Sequence, residues 1–316
     1  EFVLFTRHRH GETVRQEASE IAGKDIPVVT TRVAPHALAL LIVMQVHALR
    51  PGYDAIFTQN FSIRARNSYV FLHDVLFMSN PEWFSWVERC YFALMSLTAR
   101  RARRVFTSSQ SEAARIRRHL HLRSVSAVGL GPRQSMLRAK SEAPPVPLRA
   151  GSFMLTVGRF NVRKNLARVV EAALLSERVS AAYPLVVVGD VIPEGSVAHV
   201  GNAISGGQVI SLGFVSDGQL RWLYENCGTF VMASLGEGFG MPVAEAATFR
   251  RTSVLSGLDV FREIADGGYE ADPLDVTSIM QAIQRAVDHP RPTELKQSLS
   301  WPVVADRIRL EIGASQ

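Results

Sequence analysis

Cysteine is scarce in this 316-residue chain, with Cys90 and Cys227 the only two. Two cysteines exclude a disulfide framework and a cysteine-rich zinc site, and they fit a reducing compartment in which both are buried free thiols. Long apolar runs are missing as well. The longest, Ala37 to Met44, holds eight residues, far short of the roughly 18–20 that cross a bilayer. No charged-then-apolar leader opens the sequence, so the expectation is a cytoplasmic, soluble protein. Internal repeats, low-complexity tracts, a zinc-finger pattern and an RNA-binding strand signature are all lacking, which argues against a nucleic-acid partner. Nor does an Asp-x-Asp pair follow any strand-like run, so neither a catalytic metal nor a bound cofactor is expected.

What is present is apolar residue, 47% of the chain, enough for two cores of about 150 residues each. The segment KSEAPPVPLR, Lys140 to Arg149, has three prolines and reads as a stiff linker. It divides the chain into a domain at 1–143, a domain at 144–292, and a tail at 293–316 whose helix, Val303 to Ile312, packs back on the first domain. Charge is uneven across the division. Residues 1–150 carry 21 Lys+Arg against 11 Asp+Glu, net +10, and the remainder carries 14 against 18, net −4. An anionic membrane surface or a phosphorylated acceptor suits the basic half; solvated arginines are the plain alternative.

In the second half, FMLTVG, PLVVVGD, VISLGFV, GTFVMAS and TSVLSG are short β-branched apolar runs. Helical patterns at Leu166–Val179, Asp217–Glu225 and Pro242–Phe249 separate most of them. Runs apolar on both faces, alternating with helices, predict a doubly wound α/β domain with a parallel sheet. The first half repeats the scheme less tidily, with FVLFT, IPVVTT, DAIFTQ, SYVFLHD, RVFTSS and SVSAVG as strands. Pro81 to Arg104 reads there as one long aromatic helix with a basic end, ARRARR. The architecture expected is two Rossmann-like domains facing a cleft.

Ligands of such sheets bind beyond the carboxyl ends of the strands, and three loops there carry chemistry. In TVGRFNVRKN, Arg159 and Lys164 stand at a helix entrance, where two cations and the helix dipole can clamp a diphosphate. In ASLGEGFGMPVAEA, Gly238 and Gly240 permit close backbone approach. Pro242 suits a first helical position, and the N–H groups near Gly240 and Met241 can cradle an anion. Glu237 would repel phosphate and is better suited to accept hydrogen bonds from sugar hydroxyls. Glu245 could hold a ribose; its ordinary reading is a favourable acid in a helix's first turn. In FLHDVLFMSNPEWF, His73 and Asp74 end an apolar strand, although a lone histidine is more often structural than catalytic. Together the loops describe a site for a diphosphate flanked by two polyols, that is, a nucleotide-sugar.

At this point VGRFNVRKNLARVVEA, VVVGD, ISLGFVSDGQLRWLYENC and SLGEGFGMPVAEA resemble the signatures of glycosyltransferase family 4, the retaining enzymes of GT-B fold. Glu237 and Glu245 match the family's pair of acids separated by seven residues. LHDVLFMSNPEWF is similar to the family's His-Asp loop, especially in mannosyl- and rhamnosyltransferase-like members. The resemblance covers about residues 54–290. It implies that Arg159 and Lys164 hold the diphosphate of a UDP- or GDP-sugar, and that Glu237 with the backbone of Gly238, Phe239, Gly240 and Met241 binds the donor sugar. It further implies that Glu245 takes the ribose, that Phe214 and Val215 line the base, and that His73 sits beside the reacting carbon. A hexose-type sugar would pass to a glycan or lipid-linked acceptor.

Departures from the pattern are specific. EFVLFT resembles the family's second strand, so the usual first strand and glycine-rich loop are absent from the sequence. FRRTSV stands where the family often has Cys-Gly-Thr-Pro, putting Arg250 in the place of a turn glycine, and AVGLGP replaces an asparagine-glycine element. These motivate a second reading, a nucleotide-sugar-binding subunit that supports a catalytic partner. A phosphorylase lacks its lysine-based cofactor motif here, and a nicotinamide dehydrogenase lacks the G-x-G-x-x-G turn after a first strand.

Overall fold

The computed structural model describes residues 4–7, 11–22, 25, 27–32, 42, 44–48, 52–193, 195, 200–296 and 299–314. Most of the Ala37–Met44 run lies outside them. The chain forms two compact units. One comprises residues 1–73, 84–107 and 116–126; the other comprises 74–83, 108–115 and 127–316.

In the first unit, β1 (Leu4–Arg7) pairs in parallel with β2 (Val28–Thr31). A second sheet runs in the order β3 (Ile56–Gln59), β4 (Ser68–Phe71), β5 (Arg104–Thr107), β6 (Val125–Ala127). All six strands lie where the apolar runs place them. Pro81–Arg104 is not one helix. Pro81–Trp83 is a 3₁₀ turn, and the helix proper, Trp86–Ala99, starts at a capping box in which Ser85 and Glu88 satisfy each other's backbone N–H. The basic run leaves the helix, and Arg104 opens β5. Only Cys227 is buried; Cys90 lies on the exposed side of the Trp86–Ala99 helix.

The second unit carries six parallel strands, β7 (Met154–Gly158), β8 (Leu185–Gly189), β9 (Val209–Gly213), β10 (Thr229–Met232), β11 (Thr252–Ser256) and β13 (Tyr269–Ala271), in the order β13-β11-β10-β7-β8-β9. Chain order therefore reverses between β7 and β10, as in a dinucleotide-binding sheet. A separate antiparallel pair joins β12 (Ala265–Gly267) to β14 (Thr293–Leu295). Leu185 to Val188 are all buried, which requires cover on both faces. Helix Leu166–Leu175 buries Leu166, Val169, Val170 and Ala173, and Val276–Asp288 buries Ile279, Ala282, Ile283 and Ala286. These one-sided stripes join the sheet residues in one core.

The proline-rich segment is fixed at its start, and just beyond its end, to the helix Asp217–Asn226. Ser141 Oγ lies 2.5 Å from Glu225 Oε2, Glu142 N donates to Gly218 O at 3.2 Å, and Gly151 N donates to Asn226 O at 2.7 Å. The last helix, Trp301–Gly313, packs on residues 128–132, where Trp301 Nε1 donates to Pro132 O at 3.2 Å and Arg307 Nη1 to Val128 O at 3.2 Å.

Arg250 takes the left-handed φ of 53° at the turn before β11, a conformation that costs an L-residue about 1–2 kcal/mol and glycine almost nothing. Its exposed ion pair with Glu294 offsets little of this. Arg250→Gly is therefore expected to raise stability by about 0.5 kcal/mol and the melting temperature by about 1–2 °C, as read by thermal unfolding monitored by circular dichroism.

Candidate active site

The loops leaving β7 and β10 emerge side by side because these strands are neighbours in the sheet. The first, residues 159–165, is tied to the second by Leu235 N donating to Arg163 O at 2.8 Å. Asn165 adds a second tie. Buried, with a left-handed φ of 56°, it donates from Nδ2 to Ala233 O at 2.9 Å and to Pro273 O at 2.7 Å. Short-range sequence reading missed Asn165, since its role lies in contacts 68 and 108 positions away.

At the centre stands Glu237, 5% exposed. Lys164 Nζ lies 2.8 Å from its Oε1 and Arg163 Nη1 lies 2.6 Å from its Oε2. Burial alone would raise the carboxyl's pKa, but Lys164 and Arg163 outweigh it and hold the group below the ordinary carboxylate range. The carboxylate is thus kept anionic inside the protein. Of the two cations expected to act together, Lys164 joins this cluster, while Arg159 is exposed to solvent. Arg163 was not singled out. The signal was its place directly before Lys164, but sequence alone does not say which of three loop cations turns inward.

Glycine at 236 and 240 has a local cause. A Cβ on Gly236 would lie 2.9 Å from the Trp83 ring, and Gly240 has φ 94° with the Phe261 ring 2.4 Å from the site of a Cβ. Gly240 caps the helix Met241–Thr248, whose second residue is Pro242, one later than expected. Gly238 and Phe239 are both buried. Met241 is half-buried.

Glu245 lies beyond the first turn of this helix and is 1% exposed, so it is not a solvated acid at a helix start. Burial pushes its pKa up, opposed by Arg133, whose Nε is 4.0 Å from Oε1. The buried Tyr224 hydroxyl beside it also opposes that shift, and its own pKa is driven well up by burial and by the neighbouring Glu245. Arg133 also pairs with Asp217 at 3.1 Å, at the start of the helix Asp217–Asn226. Just before it, Phe214 is exposed and Val215 half-buried. His73 belongs to the first unit, exposed beyond β4 with its ring centroid 5.0 Å from that of Phe71. Asp74 Oδ1 accepts from Leu76 N at 3.2 Å.

Residues 146–300 match the family model described as glycosyl transferases group 1. Over 143 residues the chain is 33% identical to the serotype-specific mannosyltransferase WbdA of Escherichia coli, covering 43% of this chain and 17% of WbdA. With O-antigen chain mannosyltransferase B of Escherichia coli it shares 29% identity over 77% of this chain and 68% of the relative. The chain thus spans about a sixth of the length of WbdA. The sucrose-phosphate synthase of Thermosynechococcus elongatus superposes with a TM-score of 0.63 at 17% identity, covering 99% of this chain and 94% of that structure. That likeness shows the fold, an α/β architecture of GT-B type. By sequence, residues 146–300 are similar to the glycosyl transferases group 1.

Proposed function

We propose that the chain is a metal-independent, retaining glycosyltransferase that moves a hexose-type sugar from a UDP- or GDP-sugar to a glycan or lipid-linked acceptor. The observation that carries this reading is the anionic Glu237 held by Lys164 at the reversal of strand order. Its mannosyltransferase relatives favour mannose as the sugar. In this reading Lys164 is shared between Glu237 and the donor diphosphate, and Arg159 reaches the diphosphate from solvent. Their charge stabilises the leaving nucleotide as the glycosidic bond breaks, which is the main catalytic device. Glu237 and the backbone of Gly238 to Met241 hold the sugar, and Glu245 the ribose. Phe214 and Val215 line the base, and His73 supports the reacting carbon. The leaving phosphate takes the acceptor's proton, and configuration is retained.

Glu237→Gln and Lys164→Ala are each expected to lower kcat/KM at least 10-fold, at about 1.4 kcal/mol per factor of ten, with EDTA without effect. Steady-state rates with UDP- and GDP-hexoses measure this; wild-type rates in both variants would overturn the reading.

The helix Trp86–Ala99 favours a location. Trp86 is 74% and Leu97 60% exposed, with Val87 and Leu94 also in solvent, while Met95, Thr98 and Ala99 face the core. The exposed Arg100, Arg101 and Arg103 follow. Among the described residues no helix is long and apolar enough to cross a membrane. We infer that this apolar and basic face lies on the anionic cytoplasmic leaflet, where each cation adds about 1 kcal/mol, and brings a lipid-linked acceptor to the enzyme. Sedimentation with anionic vesicles is expected to capture the protein at low salt and release it as salt rises. Trp86→Ser with Leu97→Ser should weaken capture; no capture of wild type at low salt would remove the inference.

A further inference from the structure

The Glu237–Gly238 stretch is gripped from its far side by residues more than 120 positions away. Ser108 Oγ and Ser109 Oγ donate to Gly238 O at 3.0 and 2.9 Å, and Arg115 Nη1 donates to Glu237 O at 3.4 Å. Both serines are buried. Arg115 is paired in turn with Glu112, which is 0% exposed and whose Oε1 accepts from Val75 N at 2.8 Å. The start of this helix is itself anchored, since Glu263 accepts from Gln110 N at 2.7 Å and from Ser111 N at 2.6 Å. All of these residues belong to the second unit. In a planar trans peptide the C=O and the following N–H point to opposite sides. Fixing the carbonyls of Glu237 and Gly238 toward residues 108–115 therefore turns the N–H groups of Gly238 and Phe239 the other way.

We propose that Ser108, Ser109 and Arg115, with Glu112 bracing the arginine, form a seat that orients the Glu237–Phe239 backbone for a nucleotide-sugar donor. They are positioning residues, and their functional part rests on the glycosyltransferase reading above. The brace is titratable. Burial raises the Glu112 pKa to about 7, opposed by Arg115 on its own helix and by the Val75 N–H, and reinforced by Asp74 from the 74–83 segment. Above that pH the ionised carboxylate holds Arg115 fully; below it the neutral acid loses the charge-assisted part of the bond. Stability moves the other way. A carboxyl whose folded pKa exceeds its unfolded value, here 4.5, loses stability as pH rises from about 4.5 to about 7, because ionisation is costlier in the folded state. The seat is thus tightest where its charge is most costly to bury.

The test uses the full chain. Amide hydrogen exchange across residues 236–241, corrected for intrinsic rates, is measured at pH 6 and pH 8 beside the KM for the donor. Ser108→Ala with Ser109→Ala is expected to speed loop exchange at least fivefold at both pH values and to raise the donor KM more than it lowers kcat. Wild type should gain loop protection between pH 6 and pH 8, and Glu112→Gln should show no such gain. Arg115→Lys, which keeps the charge but not the fork, is the second variant should the serine pair unfold, and it should also speed exchange. Exchange within twofold of wild type in the folded variants, or a protection gain preserved in Glu112→Gln, would overturn the seat. Faster exchange with an unchanged donor KM would overturn its positioning role. Faster exchange in a chain that transfers no sugar would leave the seat standing and sink the transferase reading instead.

Discussion

A buried anion must be surrounded by compensating groups, and in this chain that requirement organises one end of the six-stranded sheet of the second unit. Glu237 keeps its charge at 5% exposure because Lys164 and Arg163 reach it from the loop after β7. The pairing is available because β7 and β10 lie side by side, which brings residues 73 and 74 positions apart to within 2.8 Å. Neither loop is a freestanding structure. Burying the Glu237 charge without Lys164 and Arg163 would cost several kcal/mol, and the Leu235–Arg163 backbone bond and the two Asn165 bonds hold the two loops in the register that brings these groups together.

Two acids separated by seven residues are thereby shifted in opposite directions. Glu237 faces cations that hold it anionic. Glu245, on the helix that follows, has its pKa raised by burial that Arg133 at 4.0 Å and the Tyr224 hydroxyl only partly oppose. The same residue type is so held in two different electrostatic settings within one loop and helix. Two glycines of this loop do geometric work that no larger residue permits, Gly236 against Trp83 and Gly240 against Phe261.

Much of this was legible in the sequence, for a physical reason. Strands buried on both faces favour apolar runs, and β8 is continuous while β7 and β10 are broken only by a threonine. Loops at the ends of parallel strands must carry the ligand chemistry, which singled out Lys164 and Glu237. What stayed hidden depends on long-range contact. Arg163 is one cation among three until the fold selects it. The strands β12, β13 and β14 have three residues each, too few to show a period. The proline-rich segment gave no sign that it would be pinned to a helix, because its partners lie about 70–90 positions on. The long aromatic helix was cut short by Ser85 and Glu88, a capping pair visible in the sequence but overridden by the aromatic pattern.

The boundary between units follows the same logic. Residues 74–83 and 108–115 leave β4 and β5, strands of the first unit, yet they are counted with the second. What draws them there is polar and specific: the two serines and the arginine on the carbonyls of Glu237 and Gly238, and the Glu263 carboxylate on the Gln110 and Ser111 amides. A glycine-rich loop has little side chain of its own with which to pack, so its position has to be imposed through its backbone. The carbonyls of Glu237 and Gly238 are the anchors, and the residues that fasten them come from elsewhere in the chain.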